Sequence, residues 1–221
     1  MAFSYTFVFN TPGLLEGQGN WSTPATFESG EVSGLNELGQ QAGETDFAND
    51  NLIDLASLDL AQVWDVSFVV LDRVANTFFS EVTIVLGDPA EVGNFAKITV
   101  RIDRNTDDAT LSGETSTGTD TQTFPSFPAV GGGDNINLQM AYDPVLNELS
   151  VSGLGAEFGL AGFIIACPQV AMKQLRIAGV RSAGTEGYAG TTSLTVTGTE
   201  IAAAAATGSR PFSAQSRRRR G

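Results

Sequence analysis

An all-β fold is what this sequence predicts, and three observations predict it. The 25 glycines and 8 prolines supply many chain reversals, because glycine reaches positive φ without steric cost and proline presets φ at turn positions. Several segments alternate apolar and polar residues with period two, the signature of a strand with one face on a core. Long helix-forming stretches are scarce. With 42% apolar and 17% charged residues, the chain is too apolar for a disordered protein and long enough for one sizeable core.

The elements follow in order. Phe3, Tyr5, Phe7 and Phe9 alternate with Ala2, Ser4, Thr6 and Val8, a strand ended by Thr11, Pro12 and Gly13. From there to about Gly43 the chain reads as a long loop or a pair of short strands, anchored by Trp21 and Phe27. Residues 51–60, with apolar positions at 52, 55, 58 and 60, suit one short helix or a turn followed by a strand. Strands are predicted over residues 63–71, 78–86 and 95–102. In the last of these Ile98, Val100 and Ile102 face one way and Lys97, Thr99 and Arg101 the other. The Thr-rich stretch 110–121 reads as a solvent-facing strand or extended loop. Residues 136–142 and 149–151 form a hairpin around Asp143, Pro144 and Asn147. Residues 158–166 read as a strand buried on both sides, and 175–180 and 191–197 close the series. The alanines at 202–206 favour a short helix.

Two stretches carry a resemblance. Residues 15–21, Leu-Glu-Gly-Gln-Gly-Asn-Trp, resemble the glycine- and tryptophan-containing opening of concanavalin A-like, or laminin-G-like, jelly rolls. Residues 140–151 resemble the late hairpin of that superfamily, with a Tyr-Asp strand end, a short turn and an L-x-V strand. The closing strands 175–180 and 194–196 fit its last pair. The resemblance implies a two-sheet antiparallel jelly-roll β-sandwich over residues 1–200, with a concave face used elsewhere for glycans, peptides or scaffolding. Residues 201–221 are then an Ala-rich stem and basic C-terminal arm. No compact Asp/Asn/His cluster matches the metal site of legume-type lectins. In style the chain also resembles tailed-phage and other viral structural proteins: Gly/Thr-rich, acidic in its body and basic in a terminal arm.

Charge and composition narrow the chemistry. The net charge is −13, yet five of the 12 basic residues, Arg210, Arg217, Arg218, Arg219 and Arg220, fall in the last dozen positions. The rest of the chain carries −18, which repels nucleic acid, while the tail is drawn to phosphate or an acidic surface. With no histidine, His-based acid–base catalysis, a Ser-His-Asp triad and His metal ligation are excluded. The lone Cys167 rules out an internal disulfide framework and reads as a buried small hydrophobe. The first residues show no basic segment followed by an apolar core, and no apolar run reaches the ~20 residues that span a bilayer.

Candidate sites remain. Asp103, Asn105 and Asp107 place hard oxygens in one turn, and Asp134 with Asp143 offers a second set, both chemically suited to calcium. Arg104 inside the first set counts against it, and Asx-rich turns explain both. Carbohydrate recognition needs an exposed aromatic and nearby amides. Trp21 with Gln18 and Asn20, and Tyr188 in its Gly-rich loop, are the candidates, Trp21 being either a loop anchor or a ligand platform. Trp64 reads as core. Arg210, Phe212 and the run Arg217 to Arg220 form an assembly arm for docking on an acidic patch of a neighbouring copy, with nucleic acid as the lesser partner. The resulting reading is a non-enzymatic structural component of a viral particle, capsid decoration or tail/fibre, made in the host cytoplasm and residing in the virion. The alternative is a carbohydrate-binding, lectin-like module. A glycan-cleaving enzyme is a third reading that the fold permits.

Overall fold

The computed structural model of the chain describes residues 1–24, 29–32, 38, 47–72, 79–125, 135–153, 162–181 and 189–201. Within them lie β1 (Ala2–Val8), β2 (Gly13–Leu14), β3 (Glu31–Val32), β4 (Phe47–Asp54), β5 (Trp64–Asp72), β6 (Phe79–Gly87) and β7 (Phe95–Asp103). They are followed by β8 (Asp108–Thr115), β9 (Gly118–Pro125), β10 (Asn135–Asp143), β11 (Glu148–Gly153), β12 (Gly162–Ala166), β13 (Gln174–Arg181) and β14 (Ala189–Thr199). Two six-stranded antiparallel sheets face each other, ordered β1-β14-β5-β10-β11-β12 and β4-β13-β6-β7-β8-β9. β2 and β3 pair in a small ribbon beside them.

Alternation explains why these residues form two layers. Trp64, Val66, Phe68 and Val70 of β5 and Ile136, Leu138, Met140 and Tyr142 of β10 point inward from the first sheet. Val82, Ile84 and Leu86 of β6 and Ile98, Val100 and Ile102 of β7 point inward from the second. Each such side chain contributes about 1.5–3 kcal/mol by leaving water. Trp64 is stacked on Tyr142 at 5.4 Å between ring centroids. The first and last described strands pair, Ala2 opposite Thr199, so both ends of the sandwich domain meet on one edge.

Three sequence expectations change. Residues 51–54 are the end of β4 and the turn follows the strand, because the inward position 51 is an asparagine instead of an apolar residue. The Thr-rich stretch is a hairpin, β8 and β9, turning at residues 116–117. β12 is an edge strand with Ile164 exposed, so it is buried on one side only. The Ala-rich stem, the Arg tail, Phe27 and the 126–134 stretch lie outside the described residues.

The strand directions give the sandwich two ends. One is built from connections 55–63, 88–94, 116–117, 144–147 and 167–173, together with Met1 and residues 200–201, all of them described. The opposite end carries the β7–β8 turn at 104–107 and the loops that lie mostly outside the described residues.

Candidate functional site

A cleft of about 330 Å³ opens where β4 is flanked by the segment 20–22. Asn20, Ser22, Asp54 and Gln174 line it with polar atoms, and Leu52, Ile53 and Ala56 add apolar wall. Asp54 and Gln174 come together because they are cross-strand partners at the ends of β4 and β13. The other wall is held by reciprocal backbone hydrogen bonds between Ser22 and Leu52, 2.9 and 2.8 Å, which extend the sheet by one bridge.

Beneath that wall sits Trp21. It is 3% exposed, with its ring edge-on to Phe7 at 5.8 Å and tilted against Phe9 at 6.4 Å. Of the two roles open to it, the structure shows the anchor. Both aromatic contacts belong to the core, and no ring face is left for a sugar to stack on. The neighbouring Tyr5 hydroxyl is pushed up to about 12 by burial, opposed by the Trp21 indole N–H from a position short of hydrogen-bonding geometry. Gln18 is likewise structural. Its amide donates to the carbonyls of Thr11, Gly13 and Leu14 at 3.0, 3.3 and 2.9 Å. Asn20, by contrast, stands exposed at the cleft, as does Asp54, with Gln174 half-buried beside them, and none of the three side chains makes a protein hydrogen bond among the described residues. Sequence reasoning found Asn20 beside Trp21 but missed Asp54 and Gln174, whose only signal is the β4–β13 register.

The cleft lies on the outer face of the second sheet, next to an ion network. Arg176 reaches Asp50 at 3.7 Å and Glu91 at 2.6 Å, and Lys97 bridges Glu91 and Glu114, each at 2.8 Å. Val85, fully buried on this outward face, lies between the Arg176 and Lys97 strand positions. Burial raises the Asp50 carboxyl to about 6, with Arg176 pulling it down and Glu91 pushing it further up. The folded protein therefore holds this proton up to about pH 6, while an unfolded chain releases it near 4. The associated stability is present at low pH and lost as pH rises through 6. Between pH 5 and 7.5 the wild type should lose about 1–1.5 kcal/mol relative to Asp50→Asn, read from denaturation midpoints at both pH values. Parallel pH profiles would show that Asp50 titrates normally.

The first sheet presents a different outer face. Ser67, Val69, Asn137, Ser193 and Thr195 line a shallow cleft of about 310 Å³ there, with small hydroxyls and one amide but no acid. Asp65, nearby on the same face, is taken up by Gln139 at 3.4 Å and by the Thr197 hydroxyl.

The remaining candidates separate. Asp103 accepts from Arg101 at 3.0 Å and from the Asn105 N–H at 3.0 Å, and these bonds outweigh burial to hold its carboxyl below the usual range. Asp107 occupies a positive-φ turn position. Asp143 caps the N–H groups of Val145 and Leu146 at the opposite end of the sandwich. The aspartates serve turns, and among the described residues no group of three or more acidic or sulfur ligands could hold a metal. Asp134, Tyr188, Arg210, Phe212, Arg217, Arg218, Arg219 and Arg220 lie outside the described residues. Cys167 is buried, its thiol pushed up to about 12 by desolvation. No helix among the described residues is long and apolar enough to cross a membrane.

Two facing six-stranded sheets in this order define a concanavalin A-like jelly-roll β-sandwich. No protein-family model and no curated protein sequence matches the chain. Solved structures match its fold. A CBM2 module of the evolved Dit of Lactobacillus casei BL23 phage J-1 superposes with a TM-score of 0.62 at 9% identity, over 89% of this chain and 96% of that one. Peanut lectin superposes at 0.57 and 10%, over 92% and 100%. An endo-1,3-beta-glucanase from Streptomyces sioyaensis superposes at 0.58 and 11%, over 88% and 95%. Identities this low establish the shared fold, which hosts both binding and catalysis.

Proposed function

We propose that the chain is a non-catalytic carbohydrate-binding module whose sugar site is the cleft of Asn20, Asp54 and Gln174. One observation carries this reading: two amides and a carboxylate with uncommitted hydrogen-bonding atoms converge on a 330 Å³ recess beside apolar Leu52 and Ala56. A carboxylate accepts from two adjacent sugar hydroxyls, the amides both donate and accept, and the apolar wall meets the C–H face of the ring. The lectin and CBM2 likenesses support it. Hydrolysis of a glycosidic bond commonly uses two facing carboxylates, whereas Asp54 is the one acid lining this cleft, and the chain has no histidine.

A glycan array probed with the full chain tests the reading. Binding to a defined glycan class is expected, weakened at least about tenfold by Asp54→Ala, since losing a charged hydrogen-bond partner costs about 1.5–3 kcal/mol. Asn137→Ala, in the other outer cleft, should leave binding unchanged. Binding lost with Asn137→Ala and kept with Asp54→Ala would move the site to the first sheet, and no binding at all would end the reading.

A particle-borne role is compatible with it. The likeness to a phage Dit module, the low charge density and the basic arm support a place in a virion among copies of itself and other particle proteins. Peptides of this chain confined to the light fractions of its native source would refute that placement.

A further inference from the structure

The fully described end of the sandwich exposes several large apolar side chains. Among the described residues, Met1, Val63, Val92, Val145, Leu146, Met172 and Ile201 are exposed there. Val145 and Leu146, adjacent in one turn, make an exposed apolar pair, more than the single residues that ordinary surfaces scatter. Val92 at 88%, Met1 and Val145 at 84% and Leu146 at 61% exposure stand furthest out.

These side chains are presented on a stiff platform. Asp143 accepts from the N–H groups of Val145 at 2.8 Å and Leu146 at 3.3 Å. Asp88 does the same for Ala90 at 2.9 Å and Gly93 at 2.6 Å, fixing the loop that carries Val92. The loops are then tied to one another. Asn94 donates to the Gln169 carbonyl at 3.0 Å, Ser116 to Asn94 at 3.1 Å, and Thr117 to the Ala166 carbonyl at 3.2 Å. The Cys167 N–H donates to the Asn147 carbonyl at 2.8 Å. Apolar groups held in place lose little entropy when covered, which favours a docking surface over a mobile fringe.

Charge selects the partner. Asp59, Asp143, Glu148 and Glu200 rim this end, while Lys173 is the one basic side chain in its connecting loops. Two such ends repel each other unless cations come between them. The chain carries those cations in the segment that follows Ile201. Ile201 is pinned here by its N–H to the Ser57 carbonyl at 2.9 Å, and the 20 residues after it end in Arg217, Arg218, Arg219 and Arg220. Six strands about 4.8 Å apart make an end roughly 24–29 Å wide, and 20 residues reach up to about 66 Å. An arm folded back onto its own rim would neutralise acid but leave the valines and leucine wet. A second copy satisfies both.

We propose that two copies of this chain dock end to end through Val92, Val145, Leu146 and Met172, each copy's C-terminal arginines gripping the acidic rim of the other. The contact is isologous, so it closes at a dimer. An anionic membrane is disfavoured as the partner, because the acidic rim would face like charge.

Sedimentation equilibrium on the full chain tests this, with vesicle co-sedimentation beside it. A dimer is expected, at least about tenfold weaker in the Val145→Ser/Leu146→Ser variant and in a chain lacking residues 208–221, and weaker in about 1 M salt, where the Debye length falls to about 3 Å. Both substituted side chains are exposed, so the thermal midpoint and glycan binding, compared at a dilution where both chains are monomeric, should be unchanged, which separates lost docking from lost folding. A monomeric wild type, or a dimer indifferent to the double substitution, overturns the proposal. Binding of the full chain to phosphatidylserine vesicles that is lost in that variant also overturns it, assigning the end to lipid.

Discussion

Gly87→Ala is expected to be the most damaging methyl among the glycines whose surroundings are described, lowering stability by about 2–6 kcal/mol. Two costs combine. Gly87 ends β6 at φ +123, a conformation L side chains rarely adopt, and holding alanine there costs about 1–3 kcal/mol. The new Cβ would also lie 2.6 Å from the Asn94 carbonyl oxygen, 2.6 Å from Val170 Cγ1 and 2.9 Å from Phe95 Cα. Two of those neighbours are backbone of the paired strand and its loop and cannot rotate aside, which adds about 1–3 kcal/mol of overpacking. Gly17 is the control. It is also at positive φ, +82, but a Cβ there meets nothing within 4 Å, so Gly17→Ala should cost only the torsional part. Urea midpoints of the two variants separate the terms, and equal losses would mean that the packing clash relaxes without cost. The consequence of Gly87→Ala should extend beyond stability. The loop it starts carries Glu91, which holds Arg176 and Lys97 on the outer face, and Val92 on the exposed end.

How much of this could be read in the sequence depended on whether alternation survived. It survives where one face meets the core and the other meets water, so β1, β7 and β10 were legible residue by residue, and β5 and β14 as strands. β4 was not, because its inward position 51 holds a polar side chain satisfied by partners some 20 to 30 residues away. β9 was not, because threonine and glutamine occupy both of its faces on the exposed edge beyond β8. The apolar run at 162–166 suggested burial on both sides, yet Ile164 faces outward, and hydrophobicity alone does not report an edge. The concanavalin A-like resemblance supplied what periodicity could not, namely that the strands form two sheets, but not which strand joins which: the closing strands read as a last pair, β13 and β14, lie in different sheets. The candidate site shows the same limit. Asn20 was visible beside Trp21, but its partners Asp54 and Gln174 lie far along the chain and converge only through strand register. The fate of Trp21 was decided by Phe7 and Phe9, whose spacing marked β1 as half-buried without saying what would cover them.

Asn51→Leu should test whether the cleft depends on this hidden polar hub, and a loss of about 2–4 kcal/mol is expected together with weakened glycan binding. Asn51 is fully buried. Its side-chain oxygen accepts from the Gly30 N–H at 2.8 Å, and its amide donates to the hydroxyls of Thr23 at 2.8 Å and Ser29 at 3.2 Å. Ser29 in turn accepts from the Glu16 N–H at 2.9 Å. One side chain therefore ties β4 to both arms of the loop that carries Asn20, Trp21 and Ser22. Leucine matches its size but leaves the Gly30 N–H buried without its acceptor, at about 1–3 kcal/mol, and frees two hydroxyls from their donor. The segment 20–22 then rests on its bridge to Leu52, on the backbone bonds of Trp21 to Gly17 and Gln18, and on the packing of the Trp21 ring. Asn51 does not line the cleft, so a fall in sugar affinity would arise through the position of Asn20 relative to Asp54 and Gln174. Asn51→Asp sharpens the comparison. It keeps the acceptor for Gly30, loses the donors and buries a charge, so its stability loss should be no smaller. Midpoints from urea titration paired with affinity for the identified glycan make the reading. A destabilised variant that binds sugar as tightly as the wild type, measured where both are folded, would show that the cleft stands without the hub and that Ser22, Leu52 and Trp21 alone set its shape.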